Sequence, residues 1–349
     1  MQQRIDKLFA QEIEGTVFIS GYANIFYYSG FTSEDAYLLL TPEMQYIITD
    51  SRYFVQAKLE CPDFELIDIR KGWEYIFGLT ESERIYFEED NLNYGMYKRL
   101  SEKAGGKEFI PSQSKIDFPR QKKDKHELEI IKDAEKIGDM AFEYILEHLH
   151  AGVCERDIAF ELEMFMRKSG ASGLSFDTIV ASGVRSAMPH GVASDKVIEN
   201  GDFVTFDFGC RYKGYCSDMT RTVAFGHVTE EMELVYNTVL KAQLACLEGA
   251  KLGMPGKEID ALARDIITEA GYGECFQHGL GHCIGLDVHE GPRANKNDPT
   301  PLAVGNILTI EPGIYIEGKF GVRIEDMLYF GENGTENLTH MPKELIIIK

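Results

Sequence analysis

Nowhere in the 349 residues does an apolar run approach the ~20 residues that a membrane-crossing helix needs. No membrane association is therefore expected. The opening stretch, MQQRIDKLFAQEIEG, lacks the unbroken apolar core of a secretion signal. No two of the seven cysteines stand in Cys-x-x-Cys spacing, which argues against zinc knuckles and thioredoxin-type redox chemistry. Their odd number points instead to a reducing cytoplasm, with thiols that are buried or idle. A long Lys/Arg run is missing as well. The 36 basic residues are outnumbered by 57 acidic ones, and a net charge of −21 repels phosphate backbones, so nucleic acid is not an expected partner.

What is present is an ordinary globular mix, 44% hydrophobic and 27% charged, long enough for roughly two domains of ~150 residues. The fold class expected is α+β. TVFISG (16–21), AYLLLTP (36–42), QYIITD (45–50) and RIYFEED (84–90) read as strands. Ser51 to Glu60 reads as a helix with a serine cap, and residues 94–106 as a helix stopped by two glycines. These make an α/β domain at 1–115. Residues 111–124, PSQSKIDFPRQKKD, hold two prolines and little apolar periodicity, and read as a linker. The second domain, 125–349, opens on a long helix with Leu128, Ile131, Ala134, Ile137, Ala141, Tyr144, Ile145 and Leu149 at three- and four-residue steps.

That second domain repeats itself. The stretch from Gly152 to Gly170 can be laid on Gly253 to Gly271 at an offset of 101, and Gly201–Gly209 on Gly305–Gly313 at an offset of 104. Residues 125–225 and 228–330 therefore read as two copies of one helix-helix-strand unit, with Asp207 matched to Glu311. Asp207 lies in the strand pattern FVTFDFG and Asp218 in YCSDMTRTV, on either side of CRYKG. A hairpin turning between Tyr212 and Lys213 would set the two aspartates opposite one another. Glu311 and Glu325 repeat the arrangement about Gly318. Like charges facing across a ladder destabilise it, and buried carboxylates without partners cost several kcal/mol each. Four together call for cations.

His282 lies in HGLGHCIGLDVHEGP. One imidazole with four carboxylates is an oxygen-rich donor set suited to Mn²⁺, Co²⁺ or Zn²⁺. It is large enough for two ions that share and activate one water for attack on an amide. His289, seven residues on, would face away from His282 on a straight strand, unless bends at the glycines redirect both. His190, in AMPHG, is the repeat counterpart of His289. The pair could hold a substrate carbonyl or pass a proton. Arg323 shares a strand face with Glu325 and is expected to orient that carboxylate. His278 and Asp326 lie nearby without a role, and Asp326 should face away.

At these residues the sequence resembles the M24 metallopeptidases of the "pita-bread" fold, a family that includes aminopeptidase P, prolidase, methionine aminopeptidase and the metal-free creatinase. HGLGHCIGLDVHEG, AMPHG and VRIED match its signatures, and GYANIFYYSGF and ITDSRYFVQA resemble the creatinase-type N-terminal domain. The resemblance implies a pseudo-two-fold catalytic domain binding two divalent ions, Mn²⁺ first, with Co²⁺ or Zn²⁺ as alternatives. It implies Asp218 and Glu325 as bridging ligands, Asp207 on one ion, and His282 with Glu311 on the other. Glu311 would also handle the proton of the attacking water, with His190 and His289 near the scissile bond. Arg323 marks the proline-specific branch. The implied function is hydrolysis of the Xaa–Pro bond of peptides with proline in second position. The compact length and ITDSRY favour an aminopeptidase P, with prolidase as the alternative. More remote readings are a non-catalytic peptide-binding module and a methionine aminopeptidase-like activity. A homodimer in the cytoplasm is the family expectation.

Overall fold

The β-branched and aromatic runs of the first third form one mixed six-stranded sheet. From edge to edge its strands are Glu65–Asp68, Gln45–Thr49, Ala36–Leu40, Thr16–Ile19, Arg84–Phe87 and Glu108–Pro111. Ala36–Leu40 runs antiparallel to both its neighbours, and the remaining pairs are parallel. Phe18, Leu39, Ile48, Ile67, Ile85 and Phe87 carry the core on one face, under Ile76, Phe77 and Leu100. The computed structural model describes residues 1–349, which divide into two compact units, Met1–Arg120 and Gln121–Lys349.

Two sequence expectations in this region fail for local reasons. The helix expected from Ser51 begins at Phe54, with no side-chain cap. Asp50 takes over the turn before it, accepting from the backbone N–H of Arg52 at 2.9 Å and from its Nε at 3.0 Å. The expected linker is also largely helical, over Gln113–Gln121. Its buried positions, Ile116, Pro119 and Arg120, do follow helical spacing, but two of the three are residues that a hydrophobic count passes over. Pro119 lies inside this helix, where it has no N–H to donate to the carbonyl four residues back.

In the second unit one element order occurs twice. Helices Lys125–Leu146 and Glu155–Lys168 precede a four-stranded sheet containing the antiparallel pair Asp202–Phe208 and Met219–Phe225. Helices Glu230–Gly249 and Gly256–Glu269 precede a five-stranded sheet containing Ile307–Ile310 and Asp326–Gly331. The first helix opens on a capping box, in which Asp124 accepts from Glu127 N at 2.9 Å and Glu127 accepts from Asp124 N at 2.8 Å. Leu149 lies beyond the helix end and is buried all the same. Each half has its own apolar core. Ile137, Phe142, Leu162 and Phe206 belong to the first, Val239, Ile259, Ala263 and Leu308 to the second.

The halves meet at an isolated antiparallel bridge between Thr220 and Glu325. Arg221, only 1% exposed, secures it with all five of its N–H groups. It donates to the carbonyls of Thr220 and Glu325 at 2.9 and 2.7 Å, to Asp326 Oδ1 at 2.8 Å, and to the carbonyls of Met341 and Pro342 at 2.9 and 3.0 Å. Asp326 thus faces away from the carboxylate cluster, as its alternation with Glu325 required, and is neutralised by Arg221 and by Lys343 at 2.9 Å. Replacing Arg221 with Met should lower the unfolding free energy by about 3 kcal/mol, the low end for a broken buried pair, because Lys343 remains beside Asp326. The expected reading is a lower urea midpoint with an unchanged slope.

Candidate active site

Strand geometry delivers the four carboxylates, with one correction to the expected register. In the ladder of 202–208 with 219–225, Met219 faces Phe208 and Thr220 faces Asp207. Arg211 faces Cys216 and Tyr212 faces Tyr215, so the turn is centred between Lys213 and Gly214, one position later than expected. Asp207 therefore faces Thr220, and Asp218 precedes the strand instead of pairing within it. The reason is backbone conformation: Lys213 and Gly214 both have positive φ, 48° and 90°, as a two-residue hairpin turn requires. The second hairpin follows the expected register. Ile310 faces Asp326 and Gly313 faces Arg323, which sets Glu311 level with Glu325 about a turn containing Gly318.

All eight residues singled out in the sequence line one cavity of about 580 Å³: Asp207, Asp218, Glu311, Glu325, His190, His282, His289 and Arg323. Ligand atoms of Asp218, His282 and Glu325 all lie within 4.8 Å of one another. His282 Nε2 is 3.7 Å from Asp218 Oδ2 and 3.5 Å from Glu311 Oε1, too far for a good hydrogen bond to either. Its Nδ1 lies 3.2 Å from the carbonyl of Cys283, which places the proton on Nδ1 and leaves Nε2 as a free lone pair. Burial, reinforced by His289, lowers the His282 pKa to about 4, so the ring is neutral at pH 7. Burial, followed by Glu325, pushes Asp218 well above the carboxylate range, and burial with Glu311 does the same to Glu325. Burial pushes Glu311 to about 8. Asp207 Oδ1 is buried with no hydrogen-bond partner. An orphaned carboxylate oxygen, a free imidazole lone pair and a surplus of buried negative charge are what a divalent cation satisfies.

Around this set stands a layer of hydrogen bonds that the sequence did not disclose. Arg323 was expected to orient Glu325. Instead Nη2 bonds Asp207 Oδ2 at 2.5 Å, Nη1 bonds the Tyr315 hydroxyl at 2.7 Å and Nε bonds Thr220 Oγ1 at 3.1 Å. Thr220 in turn donates to Glu325 Oε2 at 2.6 Å, so Arg323 reaches Glu325 only at second hand. The antiparallel bridge between Thr220 and Glu325, absent from any local pattern, is what interposes the threonine. His278 Nε2 lies 2.9 Å from the Tyr315 hydroxyl, and burial lowers its pKa to about 4. Thr309 Oγ1 donates to Glu311 at 3.2 Å. Arg293 also lines the cavity, side by side with His282 in the ladder. No alternation or repeat singled it out.

The glycines of HGLGHCIGLDVHEG act through close approach. A Cβ on Gly281 would overlap the Thr309 carbonyl, and one on Gly285 would press into the Glu290 carboxylate. Between His282 and Cys283 the ladder shifts register, a bulge that turns the chain. His282 and His289 consequently lie together, ring centroids 4.4 Å apart, and do not face opposite ways. Glu290, immediately after His289, forms a buried pair with Lys123 at 2.8 Å.

Comparison with known proteins gives a consistent picture. Residues 129–332 match the model of metallopeptidase family M24, and residues 2–122 match the creatinase/prolidase N-terminal domain. The chain is 40% identical to an Xaa-Pro dipeptidase of Pyrococcus furiosus, over 99% of this chain and 100% of that one. An Xaa-Pro dipeptidase structure from Bacillus anthracis superposes with a TM-score of 0.94 at 43% identity, covering 99% of both chains. An X-Pro aminopeptidase structure from Thermotoga maritima gives 0.88 at 42%, covering 96% and 97%.

The raised carboxylates set a stability trend for the metal-free protein. A carboxyl with a raised folded-state pKa favours folding while protonated, and that contribution fades as pH rises from the unfolded value towards the folded one. The depressed histidines oppose this only below about pH 6.5, where unfolded imidazoles take up protons. Chelated protein should therefore lose melting temperature between about pH 6.5 and 8. Added Mn²⁺ should raise it more at pH 8 than at pH 6.5, as thermal unfolding followed by circular dichroism would read.

Proposed function

The chain belongs to metallopeptidase family M24, in its proline-specific branch, and from that premise we propose that it is an Xaa-Pro dipeptidase, a prolidase. The observation that carries the proposal is the convergence of four carboxylates, buried or nearly so, and one neutral imidazole on a single cavity. The sequence reading put aminopeptidase P first. The Xaa-Pro dipeptidases of Pyrococcus furiosus and Bacillus anthracis support the other order, while the Thermotoga maritima relative keeps aminopeptidase P as the second reading. Arg293 favours the dipeptidase as well. Its side chain lines the cavity and brings a positive charge to it. The α-carboxylate of an Xaa-Pro dipeptide lies one residue from the scissile bond and suits such a partner. In a longer peptide that group is an amide.

In this reading two divalent ions would be held by Asp218 and Glu325 in common, with Asp207 serving one and His282 and Glu311 the other. We take the ions to be Mn²⁺, with Co²⁺ or Zn²⁺ as alternatives. Bound there, the ions supply charge stabilisation for the scissile carbonyl and lower the pKa of the attacking water. Glu311 accepts the proton of that water, a role that a carboxylate lining the same cavity can fill. The proline nitrogen leaves as a secondary amine and needs a proton; Glu311 returns the one it took. His289 is held neutral by burial, with Arg293 assisting, and can donate an N–H to the developing oxyanion without adding charge. His190 lines the same cavity and holds the substrate carbonyl. Arg323 aims Asp207 through Oδ2, leaving Oδ1 free. We keep a homodimer in the cytoplasm within the proposal, since the seven cysteines are all unpaired and suit a reducing compartment. No helix is long and apolar enough to cross a membrane.

The decisive assay offers metal-stripped and Mn²⁺-reloaded enzyme an Xaa-Pro dipeptide and the matching Xaa-Pro-Yaa tripeptide. Metal-dependent cleavage of the dipeptide alone is expected; tripeptide cleavage would move the enzyme to aminopeptidase P. Asp218→Ala or Glu325→Ala should abolish both activity and metal uptake, and a fully active, metal-loaded variant would overturn the bridging roles. Arg293→Ala should raise KM for the dipeptide about tenfold or more, the worth of one lost charged hydrogen bond of ~1.5–3 kcal/mol.

A further inference from the structure

His190 is carried by a segment with little core of its own. Between Ser182 and Ser194 the chain makes a short 3₁₀ turn, Gly183–Ala187, and then runs irregularly past the cavity. Val184, Met188 and Val192 leave more than half of their surface exposed, at 56%, 53% and 51%. Pro189, His190 and Val192 line the cavity.

One carboxylate holds both ends of this segment. Glu155, the first residue of helix Glu155–Lys168, is fully buried. Its Oε1 accepts from Ser182 N at 2.7 Å and Ser182 Oγ at 2.8 Å. Its Oε2 accepts from Ser194 N at 3.1 Å, Ser194 Oγ at 2.6 Å and Arg185 Nε at 2.9 Å. Arg185 reaches on to the Val192 carbonyl at 2.6 Å. Ser186 Oγ ties this segment to a strand of the second half, accepting from Gly321 N at 2.8 Å.

Five donors from three points along the segment thus converge on one side chain that never touches the cavity. Removing it would leave the buried N–H of Ser182, the part-buried N–H of Ser194 and the Nε–H of Arg185 without their acceptor. We propose that Glu155 is a positioning residue for the reaction: by gripping Ser182, Arg185 and Ser194 at once, it sets the position of His190 against the substrate. The proposal rests on the Xaa-Pro peptidase reading for its catalytic consequence, and on the hydrogen bonds alone for the anchoring.

The test is Glu155→Gln, alone and combined with His190→Asn, in the metal-loaded full-length enzyme. The amide keeps size and burial but turns one acceptor into a donor facing donors. Amide hydrogen exchange should accelerate over residues 183–194 and little elsewhere. The kcat/KM for an Xaa-Pro dipeptide should fall about ten- to a hundredfold, the scale of a small misplacement at the reacting centre. Metal content per chain should not change. In the His190→Asn background the same substitution should cost nothing further, because both act through one side chain. Costs that multiply in the double variant, loss of bound metal, or unchanged exchange over 183–194 would each overturn the proposal. Should Glu155→Gln fail to fold, the Ser182→Ala/Ser194→Ala pair removes two of the five donors and is read by the same measurements. Should the wild-type enzyme cleave no Xaa-Pro peptide, the functional reading falls, and the exchange comparison still decides whether Glu155 anchors the segment.

Discussion

Four carboxylates gathered in one buried cavity repel one another, and the second unit is arranged around containing that repulsion. In a low-dielectric interior each ionised group loses hydration and faces like charge, and the raised titration of Asp218, Glu311 and Glu325 expresses both costs. Only Asp207 has a direct cationic partner, Arg323. Thr220 and Thr309 supply neutral hydrogen bonds to Glu325 and Glu311. Protein groups alone leave a charge deficit, and the family's divalent ions fill it in chemical terms: they are small, doubly charged and accept oxygen with one nitrogen.

Holding that cluster demands rigid strands that stop at the right places. Asp218 and Glu325 both lie at strand interruptions, where the backbone is free to aim a side chain inwards while flanking residues stay paired. Arg221 lies directly behind, gripping the carbonyl of Glu325 and neutralising Asp326, which alternation sends to the opposite face. One side of the strand therefore carries an acid without a cationic partner, facing the cavity, and the other side an acid that is fully paired. Asp326 and Glu325 are neighbours with opposite fates: Arg221 reaches the Asp326 carboxylate, whereas the Glu325 carboxylate is bonded by the neutral Thr220 hydroxyl.

The histidines show a similar division. Burial keeps His282 and His278 neutral, so neither adds positive charge beside the ions. His289 and His190 come from loops instead, one shaped by a bulge with its buried Lys123–Glu290 pair nearby, the other anchored by Glu155. Groups proposed to meet the substrate thus sit on irregular chain, while proposed metal-holding groups sit on or beside strands. The first must fit a peptide that comes and goes; the second must resist their own repulsion.

Much of this was readable in the amino-acid order. Period-two and period-three-to-four patterns marked the strands and the long helix. The matched spacing of Asp207, Asp218, Glu311 and Glu325, together with the Gly- and His-rich run about His282, pointed to the cavity residues, because strand alternation and hairpin midpoints are local geometry. What the order of residues left open depends on contacts across long separations. The first hairpin turned one position late because only Lys213 and Gly214 adopt the left-handed backbone it needs. Helix Gln113–Gln121 buries a proline and an arginine that no hydrophobic count selects. Arg323 found Asp207, 116 residues away, and was kept from Glu325 by Thr220. Arg293 and Glu155 carry no local signature, and His278, though inside the Gly- and His-rich run, gained no role from it, since their meaning lies in what the folded chain brings within hydrogen-bond reach. Sequence alone determined which residue types would converge and on what kind of fold; tertiary structure decided which of them touch, because a hydrogen bond of about 3 Å is set by distance in space and is indifferent to distance along the chain.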